Sequence, residues 1–272
     1  MTAASSEPVI SFEDVHLGFD EDDILRGVSF RVLPRETKVL IGETGSGKTL
    51  LLKLAAGLLK PNSGQVHVLG RDLGAMSEAE LLRFRREIGF VFQEGALFDS
   101  MSVADNVAYR LNEEGVEASE TDARVREALG FVEMEEAIDK LPGDLSGGMR
   151  RRVAIARALV SRPPIVLYDS PTAGLDPITS QTIITLILRL RDTQGVTSIL
   201  ATQRIQDAFA LANYRFDPAA NRVIKASPEG LAPRNGQPST NFLFLREGKV
   251  YFEGGQQAVL ESPDAYLKKF LV

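Results

Sequence analysis

Eight consecutive residues, Gly42-Glu43-Thr44-Gly45-Ser46-Gly47-Lys48-Thr49, fit the spacing Gly-x4-Gly-Lys-[Ser/Thr], which suits a loop that holds a polyphosphate. Glycines let the backbone fold its N–H groups around phosphate oxygens. A helix that starts at the end of such a loop adds unpaired donors and the positive end of its dipole. Lys48 is then placed to reach the β- and γ-phosphates, and the Thr49 hydroxyl to hold Mg²⁺. The flanks have the order this chemistry needs. Residues 37–41 form a short apolar run that reads as a buried strand, and residues 50–59, from Leu50 on, carry leucines and alanines at helical spacing. A second glycine-rich helix start follows roughly a hundred residues later, at Leu145-Ser146-Gly147-Gly148-Met149. Ser146 is an N-cap residue type, Gly147 and Gly148 admit close approach of another group, and residues 149–159 read as a helix, so this is a second anion-ready terminus.

Further polar residues sit at the ends of apolar runs. Gln93 follows the strand-like residues 88–92, and Ile165-Val166-Leu167-Tyr168 is a buried-strand pattern ending in the carboxylate of Asp169. With Phe19 and Ala173-Gly174-Leu175-Asp176, these motifs occur in the order found in ABC transporter nucleotide-binding domains, which the chain resembles over nearly its whole length. The resemblance implies an α/β fold: a P-loop NTPase core, an antiparallel β-subdomain and an α-helical subdomain carrying the signature loop. It implies ATP and Mg²⁺ as cofactors. It also implies a head-to-tail dimer with a second copy of the chain or a related ATPase subunit, in which Ser146, Gly147 and Gly148 of one subunit close over the ATP held by residues 42–50 of the other. Gln93 would touch Mg²⁺ and the attacking water, Asp169 would orient Mg²⁺ through water, and Asp176 would belong to the D-loop beside the nucleotide. Phe19 would stack on adenine, although it fits an ordinary strand-end core position equally well.

Two positions depart from that pattern. Ser170 stands where the family places a catalytic glutamate, and Gln203, after the strand-like residues 198–202, stands where it places a histidine. A serine hydroxyl is far too weak a base to deprotonate water, and general base catalysis is worth about 10² to 10⁴ in rate. Gln203 can donate an amide hydrogen bond to the γ-phosphate and position water, but it carries no proton. Weak ATP hydrolysis is therefore expected. Three readings stay open: a natural cassette that hydrolyses slowly, a degenerate cassette that relies on an intact partner, and a chain altered to trap ATP.

The remaining elements must position these groups. With 272 residues and 44% apolar content, the chain is long enough for a sizeable core, and residues 1–272 read as one domain. Residues 9–30 suggest two antiparallel strands around an acidic turn, and residues 38–92 and 165–212 suggest the doubly wound core. A helical subdomain at about 93–160 contains helices predicted at 103–111, 121–129 and 133–138. Residues 217–240 lack hydrophobic periodicity and read as a surface insertion joining two late strands, and 249–254 looks like a closing hairpin strand. Arg150, Arg151 and Arg152, together with Lys38 and Lys53, read as solvated charges. His16 and His67 have no metal-ligand spacing.

A net charge of −6 without a basic stripe argues against nucleic acid as a partner. The absence of cysteine excludes disulfides and thiolate metal sites. No leader pattern and no apolar run near the roughly 20 residues of a spanning helix is visible, so at a membrane another chain must act as anchor. Gln93 through Val103, Asp105 to Tyr109, Arg150 to Arg152, Asp176-Pro177-Ile178-Thr179 and the closing Lys269-Phe270-Leu271 look similar to the ATPase of Mla/MCE-type lipid transporters. That resemblance implies an integral-membrane permease and an MCE-domain protein as partners, phospholipid transport in the bacterial envelope, and a place on the cytoplasmic face of the inner membrane. Ala96, Leu97, Phe98 and Tyr109 would form the apolar rim that meets the permease, with core packing as their alternative use. Non-transport ABC ATPases form a second class, but their coiled-coil insertion and basic arm are missing here.

Overall fold

The computed structural model describes residues 7–20, 22–226 and 238–271. The chain opens with the long antiparallel pair β1 (Ile10–Phe19) and β2 (Asp22–Val32), whose alternation of buried and exposed residues gives one face to the core and one to water. Next come β3 (Glu36–Ile41), α1 (Lys48–Ala55), β4 (Ser63–Val68), β5 (Arg71–Asp72), α2 (Glu78–Phe84) and β6 (Ile88–Val91). Three helices follow, α3 (Val103–Glu113), α4 (Ala118–Phe131) and α5 (Gly147–Leu159). The chain then runs through β7 (Ile165–Asp169), α6 (Pro177–Gln194), β8 (Thr197–Thr202), α7 (Ile205–Asn213), β9 (Tyr214–Asp217) and β10 (Arg222–Lys225). It closes with β11 (Ser239–Arg246), β12 (Lys249–Gly254), α8 (Gln256–Glu261) and α9 (Ala265–Lys269).

The main sheet has the order β12-β11-β3-β8-β7-β6, parallel except for β12. Strands β3, β7 and β8 are buried along their full length, which is why they read as continuous apolar runs. Successive side chains still point to opposite faces, so this sheet divides two cores. Val39, Ile41, Val166, Tyr168, Phe242 and Phe244 pack with the helices α3 to α7. Leu40, Ile165, Leu167, Ile199, Leu243 and Leu245 pack with α1 and the antiparallel sheet β2-β1-β4-β5. The α/β architecture expected from the sequence, with an antiparallel sheet on one side and a helical region on the other, is the one observed. Among the described residues, no helix is long and apolar enough to cross a membrane.

Several expectations need correction. Residues 63–72, placed by sequence in the doubly wound core, supply β4 and β5 to the antiparallel sheet. Helix α1 stops at Ala55 where 50–59 was expected, and residues 133–138 make only a single 3₁₀ turn at Glu135–Ala137. Lys38 is not solvated. It is 2% exposed, with its ammonium 2.9 Å from Glu36 Oε1 and also paired to Glu253, because a lysine on a fully buried strand needs a carboxylate beside it. The stretch 217–240 is not a plain loop, since β10 pairs with β9 in a separate two-stranded sheet and β11 begins at Ser239. Residues 227–237 of that expected insertion lie outside the described residues.

Candidate nucleotide site

The loops carrying the polar motifs leave the carboxyl ends of neighbouring parallel strands: 42–47 after β3, 170–176 after β7, 203–204 after β8 and 92–102 after β6. In open parallel sheets the ligand crevice forms at these ends.

The loop after β3 turns directly into α1. Gly47 has φ +97°, and a Cβ there would stand 2.4 Å from Leu25 Cδ2 on β2, so only glycine lets the loop pack against the antiparallel sheet. No side chain caps the start of α1, which leaves its first N–H groups for a ligand. The start of α5 differs, because Ser146 Oγ accepts a hydrogen bond from Met149 N at 3.2 Å. The two helix termini therefore diverge: the first is open, and the second is capped by its own serine, whose O–H can still be donated outward.

Lys48 Nζ lies inside the loop and donates to Gly42 O at 2.7 Å, Glu43 O at 2.8 Å and Ser46 Oγ at 3.3 Å. Burial pushes its ammonium down to about 8, opposed by the charge of Asp169. Two effects of opposite sign follow. The buried ammonium disfavours the folded state in full below pH 8, and this burden is relieved as pH rises from about 8 toward 10.5, so nucleotide-free thermal stability should increase over that window. Affinity for Mg-ATP should fall over the same window as the lysine loses its charge. Calorimetric titrations and thermal melts across this range check both, and Lys48→Ala should flatten both profiles.

Thr49 Oγ1 donates to Asp169 Oδ1 at 3.1 Å, which brings the hydroxyl of the phosphate loop to the carboxylate at the end of β7. Two hard oxygens of this kind, beside a lysine and open N–H groups, suit Mg²⁺ and a nucleotide phosphate. Among the described residues, no group of three or more His, Asp or Glu could hold a metal alone, so a cation here would draw its other ligands from phosphate and water. When bound, Mg²⁺ supplies charge that neutralises the phosphate oxygens. His16 and His67 lie apart from this site, on β1 and β4.

The two atypical residues converge on the same place. Ser170 Oγ lies 3.4 Å from Asp169 Oδ1, and its left-handed backbone, φ 48°, is held by Ser170 N donating to Ala201 O at 2.9 Å. Gln203 Nε2 donates to Thr44 Oγ1 at 3.2 Å, so the amide already reaches the phosphate loop. Gln93 is exposed on the turn after β6. Phe19, at 49% exposure, ends β1 opposite Asp22, which overturns its reading as a core residue. Leu50, in the first turn of α1, is partly buried against the core shared with the antiparallel sheet. Asp176 caps α6, accepting from Ile178 N and Thr179 N at 3.0 Å, and these bonds, with that of the Thr179 hydroxyl first, hold its carboxyl below the usual range. Ser146 and Gly147 are exposed, whereas Gly148 is buried under α6. A Cβ on Gly148 would lie 2.3 Å from Thr179 Cγ2, so this glycine serves packing within the chain.

Arg151 is not solvated as its run of three arginines suggests: it is 5% exposed and donates to Phe92 O at 3.2 Å, Ser170 O at 3.4 Å and Ala173 O at 3.5 Å. It joins the loop after β6, at the residue before Gln93, to the loop holding Ser170. The signal was available: Arg151 falls four and seven residues before the buried Ile155 and Ala158. Arg157 acts similarly, donating to Gly95 O and Ala96 O at 2.7 Å. Arg150 and Arg152 also bind backbone carbonyls, those of Leu145, Val132 and Glu133.

Comparison with known proteins gives concordant results. The family described as ABC transporter matches residues 25–173. The chain is 34% identical over 274 residues to Protein TRIGALACTOSYLDIACYLGLYCEROL 3, chloroplastic, of Arabidopsis thaliana, covering 97% of this chain and 74% of that protein. It is 35% identical over 224 residues to the Methionine import ATP-binding protein MetN of Mesorhizobium japonicum, covering 82% of this chain but only 61% of that relative. Among solved structures, the dimeric post-hydrolysis state of the ATP-binding cassette MJ0796 bound to ADP and Pi matches with a TM-score of 0.74 and 28% identity, covering 90% of this chain and 98% of that one.

Proposed function

Because this chain belongs to the ABC transporter family as an ATP-binding subunit, we propose that it works in a head-to-tail pair, with a second copy or a related subunit, to drive a separate permease that moves phospholipid in the bacterial envelope. The observation that carries the nucleotide role is the contact between Thr49 and Asp169, beside Lys48 and the open start of α1. Residues 42–49 and Asp169 bind Mg-ATP, with Phe19 against the base. The exposed Ser146 and Gly147, with Asp176, meet the nucleotide of the paired subunit. Gln93, Ser170 and Gln203 surround the attacking water, and without a strong base among them hydrolysis is slow.

The lipid reading is supported by the similarity over 97% of this chain to a plant protein that carries a glycolipid's name, and by the motifs between Gln93 and Tyr109. Amino-acid import is the second reading, favoured by the methionine import relatives. The protein would sit on the cytoplasmic face of the inner membrane, with the permease and an MCE-domain protein as partners. Purification from solubilised membranes, followed by reconstitution with fluorescent phospholipid, tests this. ATP-dependent phospholipid transfer supports the proposal, methionine uptake replaces lipid with an amino acid, and recovery with ribosomes or DNA removes the transport reading.

The permease docks on the loop after Gln93. Phe98 and Tyr109 are 42% and 39% exposed, and their rings lie 4.8 Å apart. Exposed aromatic pairs commonly anchor interfaces. Phe98→Asp should abolish co-purification with the permease while calorimetry still shows parent-like Mg-ATP binding. A loss of folding in that variant would assign Phe98 to packing.

A further inference from the structure

The phosphate loop is gripped from outside by a segment distant in sequence. Lys269, at the end of α9, forms an ion pair with Glu43, the second residue of the loop. The Glu43 backbone carbonyl is also the atom that accepts from Lys48 Nζ at 2.8 Å and from Ser46 N at 3.2 Å. One residue thus links α9 to the seat of the loop lysine. Helix α9 is anchored in turn. Its N-cap Asp264 accepts from Tyr266 N at 2.8 Å and Leu267 N at 3.0 Å, and Tyr266 donates through its hydroxyl to Leu245 O at 2.8 Å. Phe270 packs edge-on to Phe244 and to Tyr266, with centroids 5.5 and 5.3 Å apart. Strand β11 runs parallel to β3 with Phe244 opposite Ile41, so these anchors lie beside the first residues of the loop. An open cleft of about 650 Å³ is lined by Glu43, Thr44, Gly45, Arg246, Tyr266 and Lys269 among others.

A glutamate within a loop that receives phosphates places like charge near the ligand. Lys269 holds the Glu43 carboxyl below the usual carboxylate range, so it stays ionised and paired. We propose that Lys269 is a positioning residue of the ATP site, neutralising Glu43 and keeping its carboxylate on α9 so that the loop offers the triphosphate a positive rim. This rests on reading residues 42–49 as the ATP loop.

The test compares Mg-ATP dissociation constants by calorimetry for the full chain and for Lys269→Ala, Lys269→Arg, Glu43→Gln and the double variant Glu43→Gln with Lys269→Ala. At low salt, Lys269→Ala should weaken binding roughly two- to fivefold, the range of an exposed ion pair. Lys269→Arg should match the parent. On the Glu43→Gln background, Lys269→Ala should have no further effect, and near 0.5 M salt, roughly, the loss should shrink through screening. Arginine failing to rescue, or an equal loss on the Glu43→Gln background, would show that α9 acts by packing and overturn the role of charge. A parent that binds no Mg-ATP overturns the loop reading itself, whereas a parent that binds while Lys269→Ala equals it overturns only the role of Lys269.

Discussion

Ser170→Glu is expected to raise single-turnover ATP hydrolysis by at least about tenfold, within the range that a general base contributes. Position 170 directly follows Asp169, in the loop that also faces Thr49 and lies within one residue of the strand carrying the carboxylate. Its left-handed backbone is fixed by Ser170 N donating to Ala201 O, and glutamate meets the same Cβ restriction there as serine does, so the exchange adds little strain. The contact it removes, between Ser170 Oγ and Asp169 Oδ1 at 3.4 Å, is weak. A carboxylate beside Asp169 should bind protons more readily than an isolated one, which strengthens it as a base at neutral pH. Adding Gln203→His restores the second family residue and should raise the rate further, because Gln203 now only donates an amide hydrogen bond to Thr44. Rapid-quench measurements on the parent and both variants decide the matter. A parent that already turns over at an ordinary enzymatic rate, with no gain from Ser170→Glu, would show that another group activates the water.

Lys48→Ala should weaken Mg-ATP binding by at least about tenfold and up to about a hundredfold, since hydrogen bonds to charged groups are worth about 1.5–3 kcal/mol. The nucleotide-free protein should keep its fold and lose no thermal stability. Its ammonium is buried at an unfavourable charge state, and relief of that burial offsets the loss of its bonds to Gly42 O, Glu43 O and Ser46 Oγ. Folding and binding therefore separate in this one variant. Calorimetry with Mg-ATP beside a thermal melt reads both, and parent-like affinity would remove residues 42–49 from the nucleotide site.

Much of the site was legible because its motifs are local. Gly42 to Thr49 dictate a loop and a helix start within a single turn of chain, and Ile165 to Asp169 announce a buried strand ending in a carboxylate by composition alone. Ser146 could be placed at a helix start because a capping side chain bonds only to its own next two or three residues. What escaped was long-range. Arg151 looked like one of three like charges in a run, yet only the packing of α5 beneath the loops after β6 and β7 makes its guanidinium a three-way tie. Lys38 looked solvated because a lone lysine in a strand has no visible partner, and its carboxylates come from Glu36 on its own strand and Glu253 on a strand over two hundred residues away.

The sequence by itself determined the chemistry offered at each position: a phosphate loop, a Mg²⁺-competent hydroxyl and carboxylate, and the absence of glutamate and histidine where the family has them. Those are properties of residue type and short spacing, which no tertiary contact alters. Only the tertiary structure decided which groups meet. Thr49 and Asp169, and Gln203 and Thr44, are joined across 120 and 159 positions of chain because parallel strands of one sheet deliver distant loops to the same edge, and Glu43 meets Lys269 across 226 because α9 folds back onto β11. It also decided that Gly148 is small for the sake of Thr179, and that Phe19 and Phe98 face outward. Burial and close approach depend on what the rest of the chain lays over a residue, and residue type alone does not specify that.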